Sequence, residues 1–206
     1  MNDANSVKPS VWAAAVALLA SLSVVMVLLR LKIPFPLLPF LTFHLSEIPV
    51  VIAFLLLGFR AGAAVSIASW LALNLGAPFQ AVVGPLMKLL AELSMLLGLY
   101  LARRLRGSRE RFGRRELVVA TTLGALTRVV VMAAAAFALY YLIFPEVYLP
   151  FAGKLLGRIF GVSFDSSLIV ALVIVGLTSL FNLLHTPLSV LSAAAIYKAY
   201  RKATSP

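Results

Sequence analysis

The 206 residues carry 62% apolar and only 12% charged side chains, against about 45–50% and about 25% in soluble domains, which leaves too little polar surface for a water-soluble globule. Basic residues outnumber acidic ones 18 to 7, but long uncharged runs separate them, which places them in loops beside a bilayer rather than on a nucleic-acid-binding face. There is no cysteine, which excludes disulfides, thiol nucleophiles and Cys-ligated metals. The two histidines, His44 and His185, supply little for a metal site, and no cofactor is expected. The composition is that of an integral membrane protein, expected to be all-α and multi-pass, a single transmembrane domain over 1–206 in the cell (plasma) membrane.

Val11–Leu29 is an uncharged run of 19 residues, the length that crosses a hydrocarbon core of ~30 Å. It is too long for a signal-peptide core and lacks a small-residue cleavage pattern, so it reads as a retained helix 1. Pro34, Pro36 and Pro39 then forbid regular helix and predict an extended apolar loop as far as His44. Ser46-Glu47-Ile48-Pro49 has the form of a helix start, with a candidate cap, an acidic first turn and an early proline. Helix 2 is expected to end near Leu57, and helix 3 to run from Ala63 to Leu75 after the Gly58–Gly62 turn. Ala77–Gln80 breaks the chain. Helix 4 follows from Gly84 to Ala102, then a linker, 103–115, with seven arginines and one glutamate. Helix 5 covers Glu116 to Phe144, and Pro145–Phe164 reads as a mixed loop. Ser166–Tyr197 is 32 residues without a charge, about 48 Å as one helix. Gly176, Asn182 and Pro187 offer break points, so an additional helical piece at 165–180 is expected near the surface, before a spanning helix 6 from Asn182 to Tyr200.

Six transmembrane helices result. Placing both termini inside puts 12 Lys and Arg residues on the cytoplasmic side and four outside, so the positive-inside rule favours an N-in/C-in chain with short cytoplasmic tails (1–10 and 201–206) and a cytoplasmic arginine-rich loop.

Charges inside spanning helices are costly and mark candidate sites. Lys88 and Glu92 share one face of helix 4 at i, i+4, and Arg128 on helix 5 reaches a similar depth by rise per residue. Either these three form a network that fixes helices 4 and 5 together, or Lys88 and Glu92 face a ligand cavity open to the outside. Asn182, His185 and Ser189 fall on one face of helix 6, with the first two near its outer end. Each could serve a ligand or simply a neighbouring helix. Glu47 suits the positive end of helix 2 better than a ligand. Asn74 and Gln80 are weaker candidates for the same outer space. On helix 1, Ala13, Ala17 and Ser21 form a small-residue stripe that would admit another helix backbone, although alanine is common enough in membrane helices for chance to produce it. No P-loop, H-E-x-x-H or G-x-S-x-G motif is present, so the chain shows no means of hydrolysing ATP itself and no support for catalysis.

Taken in order, the small-residue stripe, the Pro-rich loop, Leu45-Ser46-Glu47-Ile48-Pro49, Leu57-Gly58-Phe59-Arg60-Ala61-Gly62, Gly84-Pro85-Leu86-Met87, Arg128-Val-Val-Val-Met132 and Phe181-Asn182-Leu-Leu-His185 resemble the substrate-binding S components of energy-coupling factor (ECF) vitamin transporters, closest to the riboflavin-specific group. The resemblance implies a six-helix protein that captures a vitamin from outside and releases it inside together with a transmembrane T subunit and two ABC-type ATPases. It implies that Ala13 and Ala17 contact the T subunit. It also implies an outer pocket under the loop between helices 1 and 2, with Asn182 matching the group's helix 6 asparagine. His185 stands where that group has lysine, Lys88 where it has asparagine, and Glu47 where it has aspartate. In such a pocket Phe43 and Met87 would supply apolar wall, with Lys88, Glu92, Asn182 and His185 as polar contacts to the ligand. The alternatives are a stand-alone secondary carrier, against which the small size and lack of a visible inverted repeat speak, and a membrane enzyme using Glu92, Lys88 or His185 as acid or base.

Overall fold

The computed structural model describes residues 8–75, 82–105, 113–162 and 166–204. Seven helices and one β-hairpin occupy them: α1 (Pro9–Leu28), β1 (Lys32–Phe35), β2 (Leu38–His44), α2 (Glu47–Leu57), α3 (Phe59–Asn74), α4 (Val83–Leu105), α5 (Arg114–Phe137), α6 (Pro145–Phe160) and α7 (Ser167–Thr204), with α5 continuing through a π-helical stretch, Ala138–Ile143. Four helices are long and apolar enough to cross a membrane: α1, α4, α5 with its π-helical end, and α7. The segments read as helices 2 and 3 are shorter, at 11 and 16 residues. Gln80, the 1–7 and 205–206 ends of the tails and the 106–112 part of the arginine-rich linker lie outside the described residues; Arg103, Arg104, Arg114 and Arg115 belong to the ends of α4 and α5.

Two expectations are corrected. The segment read as a mixed loop after Phe144 is a helix, α6, which packs on α7 and on the π-helical stretch. Its Pro145 occupies the first helical position, where a missing N–H costs nothing, and Gly161 ends it in the left-handed conformation at φ +70. The additional piece at 165–180 and the spanning helix 6 are one continuous helix of 38 residues, about 57 Å long. Pro187 does not break it. The Thr186 hydroxyl donates to the Asn182 carbonyl at 3.1 Å, one position before the Leu183 carbonyl that Pro187, lacking an N–H, leaves without its helical donor.

The Pro-rich segment is extended, as its prolines require, and closes on itself as an antiparallel hairpin pairing Lys32 with His44 and Pro34 with Thr42, with an irregularity between Pro34 and Phe35. Phe35 and Phe43 meet edge to face at 5.9 Å and both contact Phe181 of α7, at 5.6 and 4.8 Å. Phe40 reaches Phe151 of α6 at 5.9 Å. The hairpin is thereby seated on two helices.

In lipid, apolar contact between helices gains little over contact with acyl chains, so close approach and interhelical hydrogen bonds must hold the bundle. At the α4–α5 crossing a Cβ on Gly98 would lie 2.2 Å from Thr127 Oγ1 and 2.4 Å from the Leu123 carbonyl, and the Thr127 hydroxyl donates across to the Ser94 carbonyl at 2.9 Å. Ser23 of α1 donates to the Ser46 carbonyl at 2.8 Å and bonds Ser69 of α3. Gly58 turns α2 into α3 at φ +89, ψ −175, a conformation open essentially to glycine. Two apolar clusters result. One joins α2, α3 and the α4 end near Leu99 to the α7 end near Ala193; the other joins the hairpin, α6, the π-helical stretch and the first half of α7. Between them lies a layer of buried polar side chains, Glu47, Ser66, Glu92, Arg128, Asn182, His185 and Ser189.

Candidate functional site

Arg128 is the centre of that layer. Its side chain is buried, and each of its five N–H groups has an acceptor. Nη1 donates to Glu47 Oε2 at 2.7 Å and to Met95 Sδ at 3.7 Å; Nη2 donates to Glu47 Oε1 at 3.0 Å and to His185 Nδ1 at 3.0 Å; Nε donates to Asn182 Oδ1 at 2.8 Å. The planar guanidinium fork matches the carboxylate in the bidentate geometry that makes such pairs strong. Ser189 adds a hydrogen bond to Glu47 Oε2 at 3.0 Å. Four elements converge here: the start of α2, the middle of α4 and α5, and the centre of α7.

Lys88 and Glu92 form a separate pair. Lys88 Nζ bonds Glu92 Oε1, and Ser66 of α3 donates to Glu92 Oε2 at 2.5 Å. The expected three-member network of Lys88, Glu92 and Arg128 is therefore replaced by two: Lys88–Glu92–Ser66, and Arg128 with Glu47. Comparable depth along α4 and α5 had suggested the single network. In fact the Arg128 guanidinium turns towards α2 and α7, so Glu47 has a larger role than a first-turn residue satisfying a helix dipole.

A cavity of about 340 Å³ opens beside this layer. It lies at the end of the bundle that holds the hairpin, remote from Arg103, Arg104 and Arg114. Its lining includes Met87 and Lys88 of α4, Arg128 and Met132 of α5, Asn182 and His185 of α7, and Thr42 and His44 of the hairpin. Of the residues singled out from sequence, Met87, Lys88, Asn182 and His185 line it, and Asn74 does not. Glu92 sits behind Lys88, and Phe43 stands one layer back, against Phe181 and edge-on to His185 at 5.2 Å. Glu47, Tyr140, Tyr148 and Thr178 also line the cavity. The acidic first turn of an otherwise apolar helix was the available signal for Glu47; nothing in the local sequence marked the two tyrosines as cavity residues.

His44 hydrogen-bonds Thr42 Oγ1 through Nε2 at 2.8 Å. Burial, reinforced by the positive charge of Lys88, holds its imidazole down at a pKa of about 4, so this rim residue is neutral at physiological pH. Ala13 and Ala17 are exposed on α1, on the side turned away from the bundle.

No family model and no curated protein sequence matches the chain. Among solved structures, the S component of a bacterial ECF transporter has the same fold, with a TM-score of 0.70 over 97% of this chain and 100% of that one, at 19% sequence identity.

Proposed function

We propose that the chain is the substrate-binding membrane subunit of an ATP-driven ECF-type vitamin importer, which takes riboflavin or a related vitamin from the outside and releases it inside with a T subunit and two ABC-type ATPases. The observation that carries this is the cavity. It has the volume of a small-ligand site, apolar walls from Met87, Met132 and Phe181, and a few convergent polar side chains from Lys88, Asn182 and His185. It sits in a fold shared with the S component of a bacterial ECF transporter. A flat apolar ring with polar edge atoms and an uncharged hydroxylated tail suits such a lining, with ring burial supplying most of the affinity.

In this arrangement α1 to α5 and α7 are the six spans, N-in/C-in, with the hairpin and α6 on the outer side. At 11 residues, α2 rises only about 17 Å, and the hairpin fills the remaining depth above it. Ala13 and Ala17 face outward from the bundle, where a T subunit can reach them.

The test is co-purification from native membranes with two P-loop ATPases and a T subunit, followed by uptake in proteoliposomes. ATP-dependent vitamin uptake that requires all partners is expected. Uptake by the chain alone would make it a stand-alone carrier instead.

A further inference from the structure

We infer that Arg128 is the positioning residue of the cavity: by donating to His185 Nδ1 and Asn182 Oδ1 it takes the imidazole's acceptor and one lone pair of the amide oxygen, leaves an N–H on each as the group to donate, and so favours a ligand edge of hydrogen-bond acceptors. The inference rests on the cavity being a substrate site, as proposed above, and specifies the chemistry that the site recognises.

An arginine can only donate. The 3.0 Å contact from Arg128 Nη2 to His185 Nδ1 therefore requires a lone pair on Nδ1, and the neutral imidazole carries its proton on Nε2. Among the described residues that Nε2–H has no hydrogen-bond acceptor; the nearest carboxylate oxygen, Glu47 Oε2, is 3.5 Å away and already receives Arg128 Nη1 and Ser189 Oγ. An unsatisfied donor on a side chain that is 1% exposed and lines a cavity is costly unless a ligand meets it. Asn182 is fixed in the same way. Its Oδ1 accepts from Arg128 Nε at 2.8 Å and one Nδ2–H goes to the Thr178 carbonyl at 2.8 Å, which leaves the second Nδ2–H. Lys88 adds further N–H donors beyond the one held by Glu92. Glu47 is what permits this, since its carboxylate balances the guanidinium and fixes the plane of the fork. The ligand edge that meets Asn182, His185 and Lys88 is thus a run of carbonyl or ring-nitrogen acceptors, neutral or anionic. An organic cation finds no acceptor on His185 or Lys88, and on Asn182 only an oxygen already held by the positive Arg128 guanidinium.

The test uses the full chain in detergent, labelled with ¹⁵N-histidine and free of added ligand. With only two histidines in the sequence, an H185Q sample identifies the His185 signals by their loss. A pyridine-type Nδ1 and a pyrrole-type Nε2–H at His185 are expected. R128K, which keeps a cation beside Glu47 but lacks the planar fork, should shift His185 towards a mixture of tautomers and weaken riboflavin binding by about tenfold or more. Thiamine, as a cationic probe, should not compete with riboflavin. A protonated Nδ1 in the wild-type chain overturns the inference, as does R128K with unchanged tautomer and affinity, or binding of thiamine in the cavity. Should R128K fail to fold, the wild-type spectrum decides alone. The expected tautomer in a chain that binds no flavin supports the positioning role and removes riboflavin as the substrate.

Discussion

Arg128 and Glu47, 81 residues apart in the chain, meet through two parallel hydrogen bonds of 2.7 and 3.0 Å with both side chains buried. This pair fastens the first turn of α2 to the middle of α5, and through α2 it fixes where the preceding hairpin stands over the cavity. Removing one member leaves the other charge buried without its counter-ion, which typically costs about 3–5 kcal/mol. Glu47→Ala and Arg128→Ala should each lower the thermal midpoint of the detergent-solubilised chain strongly. The double change Glu47→Leu with Arg128→Met should cost clearly less than the two single costs added together, because no unpaired charge remains. Strict additivity would show that the pair is not coupled.

The α4–α5 crossing is a second point of failure. Gly98→Val would place side-chain atoms where Thr127 Oγ1 and the Leu123 carbonyl already stand, and overpacking of this kind costs about 1–3 kcal/mol or more. A thermal midpoint within a degree of the wild-type value would show that the helices can separate at this point without loss.

Much of the helical layout was legible from uncharged runs and proline positions, because lipid imposes long apolar segments on any spanning helix. The continuity of α7 was not, since an internal proline in an apolar run too long for one straight span reads as a break. The helix α6 was hidden by Pro150 and by its two basic residues, which resemble loop composition. For the site, Lys88, Asn182 and His185 were found because polar groups in apolar helices stand out. The partner of Arg128 was not, because two carboxylates and two cations allow more than one pairing. The i, i+4 spacing of Lys88 and Glu92 correctly linked those two; only the packing of α2 against α5 and α7 shows that Arg128 belongs to Glu47.

His44 gives a pH prediction. Its pKa is lowered from the ordinary 6.5 to about 4, chiefly by burial. The unfolded chain takes up a proton below about 6.5 that the folded chain refuses until about 4. The contribution of His44 is therefore a loss of stability as pH falls through that window, with no effect above it. NMR titration of the His44 ring should give a midpoint near 4; a midpoint near 6.5 would mean that the imidazole is solvated.

Asn182→Ala removes the acceptor for Arg128 Nε and a free amide donor from the cavity. Riboflavin affinity is expected to fall about tenfold or more, because a polar ligand edge is left buried and unpaired. Equal affinity would place the ligand elsewhere.

Ala13 and Ala17 are exposed on α1; if they meet a T subunit as proposed, the double change Ala13→Trp with Ala17→Trp should leave vitamin binding by the isolated chain intact while abolishing ATP-dependent uptake by the proposed complex. Loss of binding in the isolated chain would mean that the stripe is needed for packing within it.

The most direct measurement is equilibrium titration of the purified, isolated wild-type chain with riboflavin, followed by quenching of flavin fluorescence. A substrate-binding subunit for this vitamin should quench at one flavin per chain at nanomolar concentration without ATPases or T subunit, and thiamine should not displace the flavin. Absence of quenching, together with retention of no other vitamin detectable by native mass spectrometry, would contradict the assignment of the chain as a vitamin-binding subunit.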